Sequence, residues 1–134
     1  MLAAEFQAIL RAAEDEPVES GVRHSAESAL ADYVSKNGRS GVGVIESSLF
    51  ASGSTQRIVD GLILLGRIGL DEPKVRRSLL SRALRSKEVQ VRDAGIQAAE
   101  LWEDRALGEL LEAHDEPVGW LAEYAAAVAT DLGA

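Results

Sequence analysis

One pattern constrains this chain more than any other. Four segments spread along its 134 residues carry apolar or glycine side chains at the same offsets from an apolar anchor, namely +4, +7, +8 and +11. The copies are Val22, Ala26, Ala29, Leu30, Tyr33; then Ile58, Leu62, Leu65, Gly66, Gly69; then Val91, Gly95, Ala98, Ala99, Trp102; and last Leu121, Ala125, Val128, Ala129, Leu132. At 100° per residue these offsets fall within an arc of about 100°, the width of one buried helical stripe. Successive anchors are 36, 33 and 30 residues apart. A stripe that recurs at such a period marks stacked supersecondary units, none of which can bury its apolar face alone. Strands are not expected, because the chain has only six aromatic residues and no alternating run of β-branched ones.

A shorter apolar segment precedes each phased helix: Leu2 to Ala13, Val42 to Ala51, Val75 to Leu84, and Ala106 to Ala113. The reading is therefore all-α, with eight helices in four pairs. Breakers separate them at Asn37-Gly38 to Gly41, at Ser52-Gly53-Ser54 and at Gly69 to Pro73, and Ser40, Ser54 or Thr55, and Ser86 are candidate N-caps. The tetrapeptide Asp15-Glu16-Pro17-Val18 recurs as Asp115-Glu116-Pro117-Val118. Proline and acidic residues suit a first helical turn, so both copies are expected to open phased helices. Asp71-Glu72-Pro73 is out of phase and is expected to open a different helix.

The segment Val91-Arg92-Asp93-Ala94-Gly95-Ile96-Gln97-Ala98-Ala99-Glu100-Leu101 resembles the second helix of a short HEAT-like repeat, and Val22-Arg23 with Ala26, Ala29 and Leu30 is a second match. Ile58-Val59 and Leu121-Ala122 lack the arginine and rest on phase alone. The resemblance implies one domain over residues 1–134, a right-handed α-solenoid with approximate repeats 1–36, 37–70, 71–103 and 104–134. It also implies that the second helices line the concave face. Opposite the core arc, His24, Asp60, Asp93 and Glu123 then share the +2 position, Ile96 takes +5 and Glu100 takes +9. These six are the candidate partner-binding residues. The same carboxylates also suit the positive end of a helix dipole without any partner.

Charge is unevenly spread. The formal net charge is −8, yet residues 71–92 sum to +4 and residues 93–134 to −9. Arg77, Arg82 and Arg85 form a candidate basic patch, and Arg76, which falls inside an apolar arc, is expected to reach a carboxylate on a neighbouring helix. An acidic chain disfavours nucleic acid, whose binding rests on neutralising phosphates, and favours a basic protein partner. The chain has no cysteine, so disulfides and zinc-cysteine sites are excluded.

Enzyme classes with HEAT-like folds find little support. Iron-dependent hydroxylases use His-Glu pairs, whereas His24 precedes Ser25 and His114 precedes Asp115. A DNA glycosylase would need an aromatic cleft with a basic rim, but Trp102 lies in the core arc and is followed by Glu103 and Asp104. No feature marks the bilin pocket of a chromophore lyase. Gly38-Arg39-Ser40-Gly41-Val42-Gly43 lacks the Gly-Lys-Ser/Thr ending of a phosphate loop. The expectation is a non-enzymatic interaction module without cofactor or metal, with an immunity or antitoxin protein that neutralises a basic toxin as one variant and a HEAT-like enzyme as the competing class. No signal peptide or membrane span is read, so the cytoplasm is expected. The edge formed by Trp120, Leu121 and Tyr124 leaves a monomer and a weak homodimer both open.

Overall fold

The computed structural model describes residues 2–19 and 21–133, and over these residues the protein is all-α, with no strand. Seven α-helices follow in order: α1 (Leu2–Ala13), α2 (Ala26–Phe50), α3 (Thr55–Arg67), α4 (Pro73–Leu84), α5 (Val89–Trp102), α6 (Gly108–Ala113) and α7 (Gly119–Asp131). A single 3-10 turn, Arg105–Leu107, leads into α6. None of the described helices is long and apolar enough to cross a membrane.

The expected eighth helix is the second limb of α2. Helical geometry is interrupted at Gly38, inside the expected Asn37–Gly41 breaker, so Ala26–Phe50 is two helical limbs that meet at a kink, with Ser40 near the start of the second. The bend is at Gly38, whose φ of 54° and ψ of −138° are open only to a residue without a Cβ. The first limb supplies two side-chain hydrogen bonds here, of which the second crosses the break. Asn37 Nδ2 donates to the Tyr33 carbonyl at 3.0 Å, and the Tyr33 hydroxyl donates to the Gly41 carbonyl at 3.3 Å.

Other signals were placed as their chemistry suggests. Ser54 caps α3, its hydroxyl accepting the Arg57 N–H at 3.2 Å. Pro73 occupies the first turn of α4, so Asp71-Glu72-Pro73 opens a helix. The repeated tetrapeptide behaves differently in its two copies. Residues 115–118 lead directly into α7, but residues 15–18 lie in the α1–α2 connection, and α2 begins only at Ala26. That connection is organised by Glu16, whose carboxylate accepts the Ser25 N–H at 3.2 Å and the Ser25 hydroxyl.

The helices share one apolar core, with Phe6, Leu10, Leu30, Ile45, Leu62, Leu65, Leu80 and Ile96 fully enclosed. The phased positions of the third and fourth copies are all buried. The first copy departs at Val22, which precedes the start of α2, and at Ala29, which is in α2 but exposed; the second departs at Ile58, which is only partly buried, and at Gly69, beyond the end of α3. Helices one or two places apart in the chain pack together: α1 on α2 and α3, α2 on α3 and α4, α4 on α5, α5 on α3 and α7, and α6 on α7. Trp102 fills the core between α3 and α5 and donates its indole N–H to the Leu65 carbonyl at 3.0 Å.

Candidate functional site

The six candidate partner-binding residues divide by burial. His24, Asp60 and Ile96 are inside the molecule, at 1%, 7% and 0% exposure, so the expectation that they face a partner is corrected. His24 serves the α1–α2 connection. Its Nε2 meets the Glu16 carbonyl at 2.7 Å and its Nδ1 meets the Ala26 N–H at 3.0 Å. A carbonyl only accepts and an amide N–H only donates, so these contacts suit Nε2 as the ring's donor and Nδ1 as its acceptor. Asp60 accepts from Gln56 Nε2 at 2.8 Å, and burial pushes its carboxyl above the usual range. The helical period identifies an apolar face but not what covers the opposite one, and α3 is covered by α1, α2 and α5 together. Asp93, Glu100 and Glu123 remain at the surface, with Asp93 half-buried.

The basic patch divides as well. Arg77 and Arg85 are exposed. Arg82 turns onto α2 instead, with its guanidinium 4.6 Å from the Phe50 ring centre and 3.4 Å from Glu46 Oε2. Arg76 reaches Asp104 at 3.6 Å, in the turn after α5, and also donates to the Leu70 carbonyl. Much of the positive segment therefore serves internal pairing.

Arg92 carries this furthest. It is buried at the start of α5 and meets Glu116 through Nε at 2.8 Å and Nη2 at 3.1 Å, while Nη1 donates to the Ser86 and Lys87 carbonyls. Glu116 also accepts from the Val118 N–H at 3.0 Å and lies 2.9 Å from His114 Nε2. Burial works against ionisation here, but the hydrogen bonds from Arg92, His114 and Val118 outweigh it and hold the carboxyl down at about 2. This network clamps the α6–α7 connection onto α5 and is structural.

One surviving candidate, Glu100, lines a groove of about 330 Å³ across α3, α5 and α7. Ile63 and Arg67 line it from α3, Gln97, Glu100 and Leu101 from α5, Tyr124 from α7, and Val18 and Gly21 from the α1–α2 connection. Arg67 is fixed in place, donating to the Val22 carbonyl at 2.8 Å and to the Glu19 carbonyl, with Glu27 at 3.4 Å. Glu100 accepts the Tyr124 hydroxyl at 2.8 Å. Burial, that hydrogen bond and the charges of Glu100 and Asp93 all raise the phenol, which stays protonated. Burial pushes the Asp93 carboxyl upward, and the neighbouring Gln97 side chain opposes this only in part. Gln97 and Leu101 escape a reading by charge because they are neutral, although the spacing 93, 97, 100, 101 is one face of a helix. Two large apolar residues are exposed on the same helices, Leu101 at 47% and Trp120 at 56%, the latter one turn before Tyr124 on α7.

Among the described residues no group of three or more His, Asp or Glu side chains is placed to hold a metal ion. In comparisons with known proteins, no family model, no curated protein and no solved structure matches this chain.

Proposed function

We propose that this protein is a HEAT-like solenoid of helix pairs that acts as a non-enzymatic protein-interaction module, receiving its partner in the groove of α3, α5 and α7. The observation that carries this reading is the groove itself. Its walls come from alternate helices in chain order, as the second helices of successive repeats would supply them. The packing of helices on neighbours one and two places away is what a quasi-one-dimensional array requires. Leu101 and Trp120 add exposed apolar surface of the kind that anchors interfaces, at positions where folding alone does not need them.

Photocrosslinking tests the reading directly. A benzophenone amino acid at position 101, and separately at the exposed position 36 as control, would be activated in a lysate of the native cells. The expected result is a discrete adduct from position 101 that is lost when Tyr124 is replaced by Ala. An adduct pattern identical from the two positions, or none from position 101, would overturn the proposal.

A further inference from the structure

The second limb of α2 lies beside α4, and the two faces close at one end and part at the other. On α2 the residues Arg39, Val42, Gly43, Glu46 and Phe50 follow one helical face, and on α4 Val75, Ser78 and Arg82 do the same. At one end the faces are joined: the Ser78 hydroxyl donates to Glu46, and the Arg82 guanidinium lies 4.6 Å from the Phe50 ring centre. At the other end Gly43 has no side chain to meet Val75, and a Cβ added there would find nothing within 4 Å. The result is a cleft of about 500 Å³ with Val42, Gly43, Pro73 and Val75 as its apolar lining. Its charged lining is Arg39, Lys74 and Glu72. Arg39 and Lys74 are exposed, and among the described residues neither has a carboxylate within ion-pair distance, whereas Arg76 and Arg82 of the same α4 are each matched to one. The two cations outnumber Glu72, and Asp71 just before it is turned to solvent, 3.9 Å from Arg76.

We infer that this cleft is a second docking surface, and that its occupant is an acidic polypeptide segment. An apolar side chain of the segment enters between Val42 and Val75, and flanking carboxylates meet Arg39 and Lys74. The cleft shares no lining residue with the groove of α3, α5 and α7 and is occupied independently of it. Its apolar floor calls for an apolar group, and two cations without internal partners call for carboxylates. A basic segment would instead meet like charge at both cations. A nucleic acid would find only these two cations on a chain of net charge −8, and no aromatic side chain lines the cleft for a base to stack on.

The probe is a fluorescein-labelled twelve-residue peptide with leucine at every third position and glutamate elsewhere. One counterpart replaces its glutamates by lysine, and another replaces its leucines by serine. Fluorescence anisotropy at physiological salt should show the glutamate–leucine peptide binding and the lysine peptide not binding. The serine peptide should bind roughly tenfold more weakly, having no apolar side chain to bury. Gly43→Leu fills the cleft from a helical position and should lower affinity roughly tenfold, while its melting temperature stays at or above the native value. Arg39→Gln/Lys74→Gln, which changes only exposed side chains, should lower affinity roughly fivefold. The control Arg77→Gln/Arg85→Gln removes the same charge from exposed positions outside the cleft and should leave affinity within about twofold. Equal losses in the two double variants would show attraction to net charge alone and overturn the inference. Undiminished binding by Gly43→Leu would do the same, as would failure of the glutamate–leucine peptide to bind or equal binding of its serine counterpart.

Discussion

At the scale of single residues, two carboxylates separated from water take opposite signs. Glu116 is ionised within a cage of donors, and its carboxyl is depressed to about 2 from an ordinary 4.5. Its stabilising contribution is therefore complete above pH 4.5 and is lost as pH falls through 2. Glu116→Gln should lower unfolding free energy at pH 7 by about 3 kcal/mol, since it leaves Arg92 buried without its counter-charge. In acid titrations followed by circular dichroism, the gap between variant and native protein should close toward pH 2. Asp60 is the reverse case. Burial raises its carboxyl, with the Glu14 charge adding to this, and the Gln56 amide and the His24 ring offset only part of the rise, so its ionised form weakens the fold above the raised value. Asp60→Asn keeps an acceptor for Gln56 and should raise the melting temperature at pH 7, with the gain vanishing as pH falls below the ordinary aspartate value of 3.8, where the native carboxyl is protonated. Neither role was legible in the sequence. Glu116 occurs in a tetrapeptide that also suits a helix start, and Asp60 occupies the same phase as the half-buried Asp93. What separates these residues is which neighbours surround each, and those neighbours are remote in sequence.

At the scale of the element, glycines set where helices bend and how closely they approach. Gly66 faces α5 so closely that an added Cβ would sit 2.9 Å from the Ala98 Cα, a backbone atom that cannot swing away. Gly66→Ala should therefore destabilise by about 1–3 kcal/mol despite the better helix propensity of alanine. Gly43, in the second limb of α2, meets nothing within 4 Å. Gly43→Ala should gain about 0.5–1 kcal/mol from propensity alone. Gly38 also has open space around it but sits at φ 54°, so Gly38→Ala should cost about 1–2 kcal/mol in backbone strain. Urea denaturation of the three variants checks the signs together, and a stabilising Gly66→Ala would refute the close α3–α5 contact. Every phased position of the third and fourth copies is buried, but the pattern missed Arg92, Ala94 and Ile96 on α5, which are buried as well because more than one helix covers α5. It misplaced the start of α2, because the Glu16 carboxylate and the His24 ring satisfy the chain up to Ser25 without helix.

At the scale of the whole molecule, α3 and α5 form the best-covered pair, with Leu62, Leu64, Leu65, Ala94, Ile96 and Ala98 wholly enclosed. Opening any of these requires displacing helices on more than one side, whereas α1 and α7 are the first and last helices of the chain. Amide hydrogen exchange should accordingly be slowest over Leu62–Leu65 and Ala94–Ala99 and fastest in α1 and α7. Uniform protection across all helices would show a single cooperative unit and exclude a graded array. The sequence by itself determined the all-α class, the approximate helix positions and the apolar stripes of the phased helices, because helix periodicity is a local property of the backbone. Only the tertiary structure decided which of the polar ladder residues reach the surface. It buried His24, Asp60 and Ile96, turned Arg82 and Arg92 onto carboxylates of other segments, and placed Glu100 on the wall of a groove. The physical reason is that burial and ion pairing depend on how many helices cover a face, and that number is set by packing between segments far apart in the chain.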